Sequence, residues 1–309
     1  MSKPVQNTLL SNRRDLLKSL PFLLSGPAAS LGLASTATPK PRLTVRDSLW
    51  LWSHVAGSYN GMFNLPGKSR MTPAEAAFYM AIPNVYMIHL KEGPEPPLEQ
   101  YALAFEPLRE VVWGIVAAGG HTNEKERQMV LDLVRRNRQI TGVVMDDFFP
   151  RPGSGKKPSL AIDQIRELRE TLARIGRKLD LQVVLYEYQL VDEFAEYLEL
   201  CDVVQFWTWQ GPELANLAAN MGKLSRLAPK ARLALGVYWW DFGGKKPLPM
   251  PLMKSQSELG LEWLRSGRIE SMIFCGSWLC DRGLESVAWT RDWIRKVGDQ
   301  KVPFTRSAR

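Results

Sequence analysis

The sequence predicts an α/β chain with a (β/α)8, or TIM, barrel as a single domain after an N-terminal signal segment. Three observations lead there. Some 270 residues beyond the first 37 run without a low-complexity linker, an internal repeat or a break in composition, which suits one large domain. Within them, eight short apolar runs rich in β-branched and aromatic residues alternate with eight helix-period runs. The C-terminal ends of the apolar runs gather polar and aromatic residues, whereas their bodies are Val, Leu, Ile and Met. An open doubly wound sheet is the competing layout, but no Gly-rich phosphate loop follows the first run, which weakens it.

The strands are expected at 48–54, 85–90, 111–117, 142–147, 181–188, 202–207, 232–239 and 271–277. The first helix opens at Thr72-Pro73-Ala74-Glu75, which combines an N-cap, a first-turn proline and a capping-box glutamate. A second helix is expected over 98–110 and a third over 124–138. Ser159 is read as the start of the fourth, through Ile162, Ile165, Leu168, Leu172 and Ile175. The fifth spans 191–200, Pro212 opens the sixth, and 257–265 and 285–297 complete the set.

Residues 1–37 stand apart. Asn12-Arg13-Arg14-Asp15-Leu16-Leu17-Lys18 precedes an uncharged stretch that ends in Ala34-Ser35-Thr36-Ala37, small residues of the kind that precede a signal-peptidase cut. The segment resembles a twin-arginine signal peptide, which implies export of a folded chain by that machinery to the periplasm or beyond. Pro21, Gly26, Pro27 and Gly32 interrupt the apolar part, which falls short of the ~20 residues a membrane span needs, so cleavage without a stable anchor is expected. The expected organisation is signal peptide 1–37, extension 38–47, barrel 48–298 and basic tail 299–309.

Removing residues 1–37 takes four of 40 basic and one of 32 acidic residues, leaving a modest net charge of +5. The basic residues lie mostly on helical stretches, and no basic block interleaved with aromatics points to nucleic acid. Cys201, Cys275 and Cys280 have no paired metal-ligand spacing, and a Cys275–Cys280 disulfide is an option in an oxidising compartment.

In a (β/α)8 barrel the functional end is the C-terminal edge of the strands. The strongest feature there is Gly142-Val143-Val144-Met145-Asp146-Asp147, an apolar strand running into two carboxylates. The two-residue period turns Asp146 inward with Val144, while Asp147 begins the loop. Glu187 ends the neighbouring strand, about 4.8 Å away; alternation with Val183 and Leu185 turns it towards the helices. Two carboxyl groups at ~5–9.5 Å are what glycosidic cleavage requires, one of them held protonated by its surroundings. Asp146, Asp147 and Glu187 are therefore the candidate catalytic residues. Asp241 is the reserve carboxylate and a candidate binding residue.

Flat faces edged by a polar N–H or O–H suit sugar rings. Tyr59, Tyr186, Trp207, Trp209, Tyr238, Trp240 and Trp278 are the aromatic candidates, with Gln205 beside them. Seven of the eleven tryptophans (50, 52, 207, 209, 239, 240 and 278) lie in or just past strands, and alternation lets only about half reach the mouth. The three histidines, His54, His89 and His121, belong to the first three edges. His54 and His89 are candidates for hydrogen bonds to substrate hydroxyls. A metal-assisted hydrolase using His54, His89 and Asp146 is a lesser alternative, because no His-x-His or His-x-x-x-His spacing supports it. Neither a cofactor nor a resident metal is expected.

With these residues in place, the chain resembles exported glycoside-hydrolase-type (β/α)8 proteins over 48–297, through the order of its elements, the Gly142–Phe149 strand end and the Trp/Tyr-rich edges. In chitinase-like families this strand ends in Asp-x-x-Asp-x-Asp-x-Glu. Asp146 aligns with the last Asp, but Thr141 and Val144 replace the earlier acids and Phe148 replaces the catalytic Glu. The resemblance implies an exported carbohydrate-active barrel with an oligo- or polysaccharide substrate. The departures leave open a barrel that holds glycans without cleaving them.

Overall fold

The computed structural model describes residues 43–91 and 93–303. The proposed signal peptide, the first half of the 38–47 extension and the end of the tail lie outside them. Eight parallel strands close into a barrel: β1 (Leu49–Ser53), β2 (Asn84–Met87), β3 (Glu110–Val116), β4 (Ile140–Met145), β5 (Asp180–Tyr186), β6 (Val203–Trp207), β7 (Arg232–Tyr238) and β10 (Ser271–Cys275). Pairing follows chain order, and β1 closes the ring on β10 in the register Leu49↔Met272 to Trp52↔Cys275. A two-residue-strand hairpin, β8 (Trp240–Asp241) with β9 (Lys246–Pro247), decorates the loop after β7. The barrel is the one the alternation of elements predicts.

The helices are α1 (Pro73–Met80), α2 (Leu98–Leu103), α3 (Glu124–Arg136), α4 (Ile162–Ala173), α5 (Ala195–Glu199), α6 (Leu217–Leu227), α7 (Met250–Ser266) and α8 (Glu285–Val297). The capping box of α1 forms on both sides: Thr72 Oγ1 accepts from the Glu75 N–H at 3.3 Å, and the Glu75 carboxylate accepts the Thr72 N–H at 2.8 Å. Helix α2 is shorter than the periodicity suggests, because Pro107 bars the helical conformation from the residue before it. Ser159 is not the start of α4. Its hydroxyl donates to Gly120 O at 2.7 Å, and Gln164 accepts the Ala161 N–H at 2.9 Å to open the helix two residues later. Pro212 sits in a 3-10 turn, Gly211–Asn216, that leads into α6. Among the described residues no helix is long and apolar enough to cross a membrane.

The two ends of the barrel differ. At the N-terminal end Arg232 bridges buried Asp180 and Glu270 at 2.6 and 2.7 Å. Burial pulls the guanidinium pKa down, and the two carboxylates more than reverse this. An ion network at this face serves stability. The interior above it is layered by Trp50, Tyr86 and Gln182, whose amide oxygen accepts from Tyr86 Oη at 2.8 Å and Gln205 Nε2 at 3.0 Å. Trp207 fills the next layer because residue 236 is glycine: a Cβ there would lie 2.0 Å from the indole ring. Cys201, Cys275 and Cys280 are all buried free thiols, so the Cys275–Cys280 disulfide is not formed.

Candidate active site

Strand β4 carries the two acids to the C-terminal mouth. Asp146 still belongs to the ladder, donating its N–H to Val116 O at 3.2 Å, and its side chain is buried. Continued extension would send Asp147 to the opposite face. The backbone instead turns left-handed at Asp147, with φ 45°, and both carboxyl groups line one pocket. Asp147 Oδ1 accepts from the Tyr186 hydroxyl at 2.7 Å and Oδ2 from the Gly119 N–H at 2.8 Å. The Gly119-Gly120 turn can approach Asp147 this closely because both residues have positive φ and neither carries a side chain. A Cβ on Gly120 would lie 2.7 Å from Asp147 O.

Burial raises the pKa of Asp146 well above the usual carboxylate range, and the neighbouring Asp147 charge adds to this. The backbone N–H of Asp147 offsets only part of it. Burial, then the charge on Asp147, likewise lifts the Tyr186 phenol, which keeps its proton as a donor. Tyr238 and Cys275, also buried in the pocket wall, are raised too. Each Asp147 oxygen accepts one of these two bonds and retains a second acceptor site.

The rest of the pocket is aromatic. Trp52 from β1 meets Trp207 from β6 at 5.4 Å between ring centroids, and Trp207 meets Tyr238 from β7 at 4.9 Å. Beyond β7, Phe242 packs on Tyr238 at 5.0 Å and on Trp209 at 5.7 Å. The loop after β1 closes the circuit: Phe63 touches Phe242 at 5.3 Å, and Tyr59 touches Trp278 at 4.7 Å. Val184 and Cys275 fill the gaps around about 120 Å³ of free space. Arg282 pins that loop, donating to Pro66 O, Gly67 O and Asn60 Oδ1 at 2.7–2.8 Å, while Trp240 Nε1 donates to Phe63 O at 3.1 Å.

Of the residues singled out from sequence, Asp146, Asp147, Tyr59, Tyr186, Trp207, Trp209, Tyr238 and Trp278 come together in this pocket. Glu187 does not line it. Its parity with Val183 and Leu185 turns it outward, where its carboxylate accepts the Trp209 N–H at 2.9 Å and also bonds the Gln210 backbone. Asp241 is likewise a loop clamp, accepting from Gly211 N at 3.0 Å and Gly244 N at 2.8 Å. Trp240 anchors the β1 loop, and Gln205 lies in the barrel interior. His54 stands behind the wall, packed on Tyr59 and Trp278, with Nδ1 3.0 Å from Ile88 O. His89 lines a separate cavity with His121, Glu95 and Glu126, so His54, His89 and Asp146 do not converge. Among the described residues no group of three His, Cys, Asp or Glu side chains is arranged to hold a metal ion.

Trp52, Phe63, Val184, Phe242 and Cys275 line the pocket without having been singled out as site residues. Inward parity was available for Trp52 and for Val184, which is two residues from Tyr186. Phe63 and Phe242 sit on loops, where no periodicity reveals direction. Of the seven strand-associated tryptophans, Trp52, Trp207, Trp209 and Trp278 reach the mouth, in line with alternation.

No protein-family model matches this sequence, and no curated protein sequence does. Solved structures do match in fold. A candidate α-L-fucosidase from Bacteroides thetaiotaomicron superposes with a TM-score of 0.55 at 14% identity, covering 91% of this chain and 100% of its own. The active domain 2 of a thermostable chitinase from Pyrococcus furiosus superposes with a TM-score of 0.52 at 13% identity, covering 86% of this chain and 99% of its own. The chain is thus a (β/α)8 barrel whose structural neighbours include glycoside hydrolases.

Proposed function

We propose that the protein hydrolyses a glycosidic bond in the pocket at the end of β4. The observation that carries this reading is that Asp146 and Asp147 enter one aromatic pocket in unlike surroundings. Asp146 is buried and biased towards its protonated form, whereas Asp147 faces two hydrogen-bond donors. Neighbouring acids in unlike surroundings can divide the work of proton donor and charged partner. Asp146 would give its proton to the bridging oxygen as the C–O bond breaks. Asp147 would support the positive charge that develops on the sugar ring, and water supplies the new hydroxyl while its other proton restores the acid form of Asp146. Aromatic faces offer the ring its apolar stacking surface.

Glu187, placed among the candidate acids by sequence, has no part in this scheme, since its carboxylate is occupied by backbone N–H groups. The same fact, with Phe148 standing where chitinase-like strands carry their catalytic Glu, favours a second reading: a barrel that binds glycans without cleaving them.

A panel of oligo- and polysaccharides incubated with the purified protein, assayed for reducing-end release, separates the two. Hydrolysis predicts release by the native protein, a loss of about 10²–10⁴-fold in Asp146→Asn, and near-normal release in Glu187→Gln. Binding without release from any glycan would establish the second reading, and undiminished release in Asp146→Asn would remove Asp146 from its role.

The proposal includes export through the twin-arginine machinery, supported by Arg13-Arg14 ahead of an uncharged stretch. Replacing both arginines with lysine is expected to leave the chain uncleaved in the cytoplasmic fraction. Unaltered processing would sink that part.

A further inference from the structure

The pocket has an electrostatic character that goes beyond cleavage. Nine aromatic residues and two carboxyl groups enclose it, and among the described residues no Lys, Arg or His side chain lines it. The donors to Asp147, a tyrosine hydroxyl and a glycine N–H, are both neutral. A carboxylate enclosed by apolar walls is costly without a counter-ion. Aromatic faces carry the negative end of a quadrupole, so this enclosure attracts cations and repels anions. Arg151 lies outside the pocket, its guanidinium carbon 4.4 Å from the Tyr188 ring centroid.

We infer that the pocket takes an amino sugar in its free ammonium form, with the ammonium on Asp147 and the facing aromatic rings. The inference rests on the carbohydrate reading of the same pocket and narrows it. Each Asp147 oxygen keeps one acceptor site for an ammonium proton. An N-acetylated sugar lacks the charge, and a uronic acid or a sulfated sugar brings the wrong one. Ring stacking alone does not discriminate an amine from a hydroxyl; the charged carboxylate in an aromatic enclosure does.

The test uses methyl glycosides of glucosamine and galactosamine, in both anomers, beside the matching glucose, galactose and N-acetyl compounds. Binding to the full protein is measured by calorimetry at pH 6 and low salt. At least one amino sugar is expected to bind 10-fold or more tighter than its hydroxyl and N-acetyl counterparts. That preference should disappear in Asp147→Asn and weaken several-fold in Trp209→Leu, which keeps an apolar rim but removes a π face. Equal or tighter binding of the neutral counterparts, or no binding of any amino sugar in the millimolar range, overturns the inference. Reducing-end release is scored separately. Ammonium preference without cleavage would sink the hydrolase reading alone, and cleavage without ammonium preference would sink this inference alone.

Discussion

Tyr186 is the residue through which the neighbouring strand controls Asp147. Its hydroxyl donates to Oδ1 at 2.7 Å, its ring stacks on Tyr188 at 5.4 Å, and its edge meets Trp209 at 5.9 Å. With so many ring contacts, the side chain in Tyr186→Phe has little freedom to move, and the substitution removes one donor. A hydrogen bond to a charged acceptor contributes about 1.5–3 kcal/mol, which corresponds to roughly 10–100-fold in rate if the bond strengthens as charge develops. Under the proposed mechanism Tyr186→Phe is expected to lower kcat by that factor with little change in KM, and to leave the near-ultraviolet circular dichroism of the folded protein largely intact. A fall in binding with kcat unchanged would make Tyr186 a wall residue only. The acids themselves were visible in the sequence, because charge at the end of an apolar strand is tolerated only where the strand emerges. The left-handed turn at Asp147 was not, since nothing in the two adjacent aspartates specifies φ. The partner turn, Gly119-Gly120, is legible only once Asp147 is seen lying against it.

The loop after β1 shows what alternation of apolar and polar residues leaves undetermined. Strands and helices follow from periods of two and 3.6, so the eight strands of the barrel and the 285–297 helix were readable, and errors fell at ends where a proline or a cap decides. Loops obey no period, and Phe63 reaches the pocket through tertiary anchors instead. Those anchors converge on Arg282, which reaches back to Trp278 O at 2.7 Å while holding Asn60, Pro66 and Gly67. One guanidinium thus ties the loop after β10 to the loop that carries Tyr59 and Phe63, a use of its fixed fork of donors that a lysine cannot reproduce. Arg282→Lys is expected to leave the barrel folded and to loosen this wall. Hydrogen–deuterium exchange should then rise by about tenfold or more at amides 58–65 and stay unchanged in β4 and β5, in keeping with an opening cost lowered by about 1.4 kcal/mol. Unaltered exchange at 58–65 would show that Trp240 and the ring contacts suffice to hold the loop.

At the scale of the whole molecule, two buried groups at the mouth make stability depend on pH in opposite directions. Burial drives the His54 pKa from 6.5 down to about 3, with its Ile88 carbonyl bond opposing and His89 assisting. The folded chain therefore leaves His54 neutral where the unfolded chain protonates it. Its contribution is complete above pH 6.5 and is lost as pH falls towards 3. Asp146 runs the other way: its folded pKa lies above 3.8, so its contribution is present below that value and is lost as pH rises. Each unmatched proton tilts stability by about 1.4 kcal/mol per pH unit. Above roughly pH 4 the two slopes oppose one another up to 6.5, the Asp146 slope lasting until the folded carboxyl itself ionises. Denaturant unfolding of the native protein, Asp146→Asn and His54→Gln across pH 4–8 isolates the two terms by difference, since every other group is common to all three. Relative to the native protein, Asp146→Asn should gain stability as pH rises above about 4, until the folded Asp146 carboxyl ionises, and melt higher at pH 7, by roughly 2–4 °C for each kcal/mol relieved. His54→Gln, which retains a donor for Ile88 O, should gain steadily as pH falls below 6.5. A profile for Asp146→Asn parallel to that of the native protein would mean that Asp146 is ionised in the folded state throughout. The proton donor required for cleavage would then be missing from the pocket.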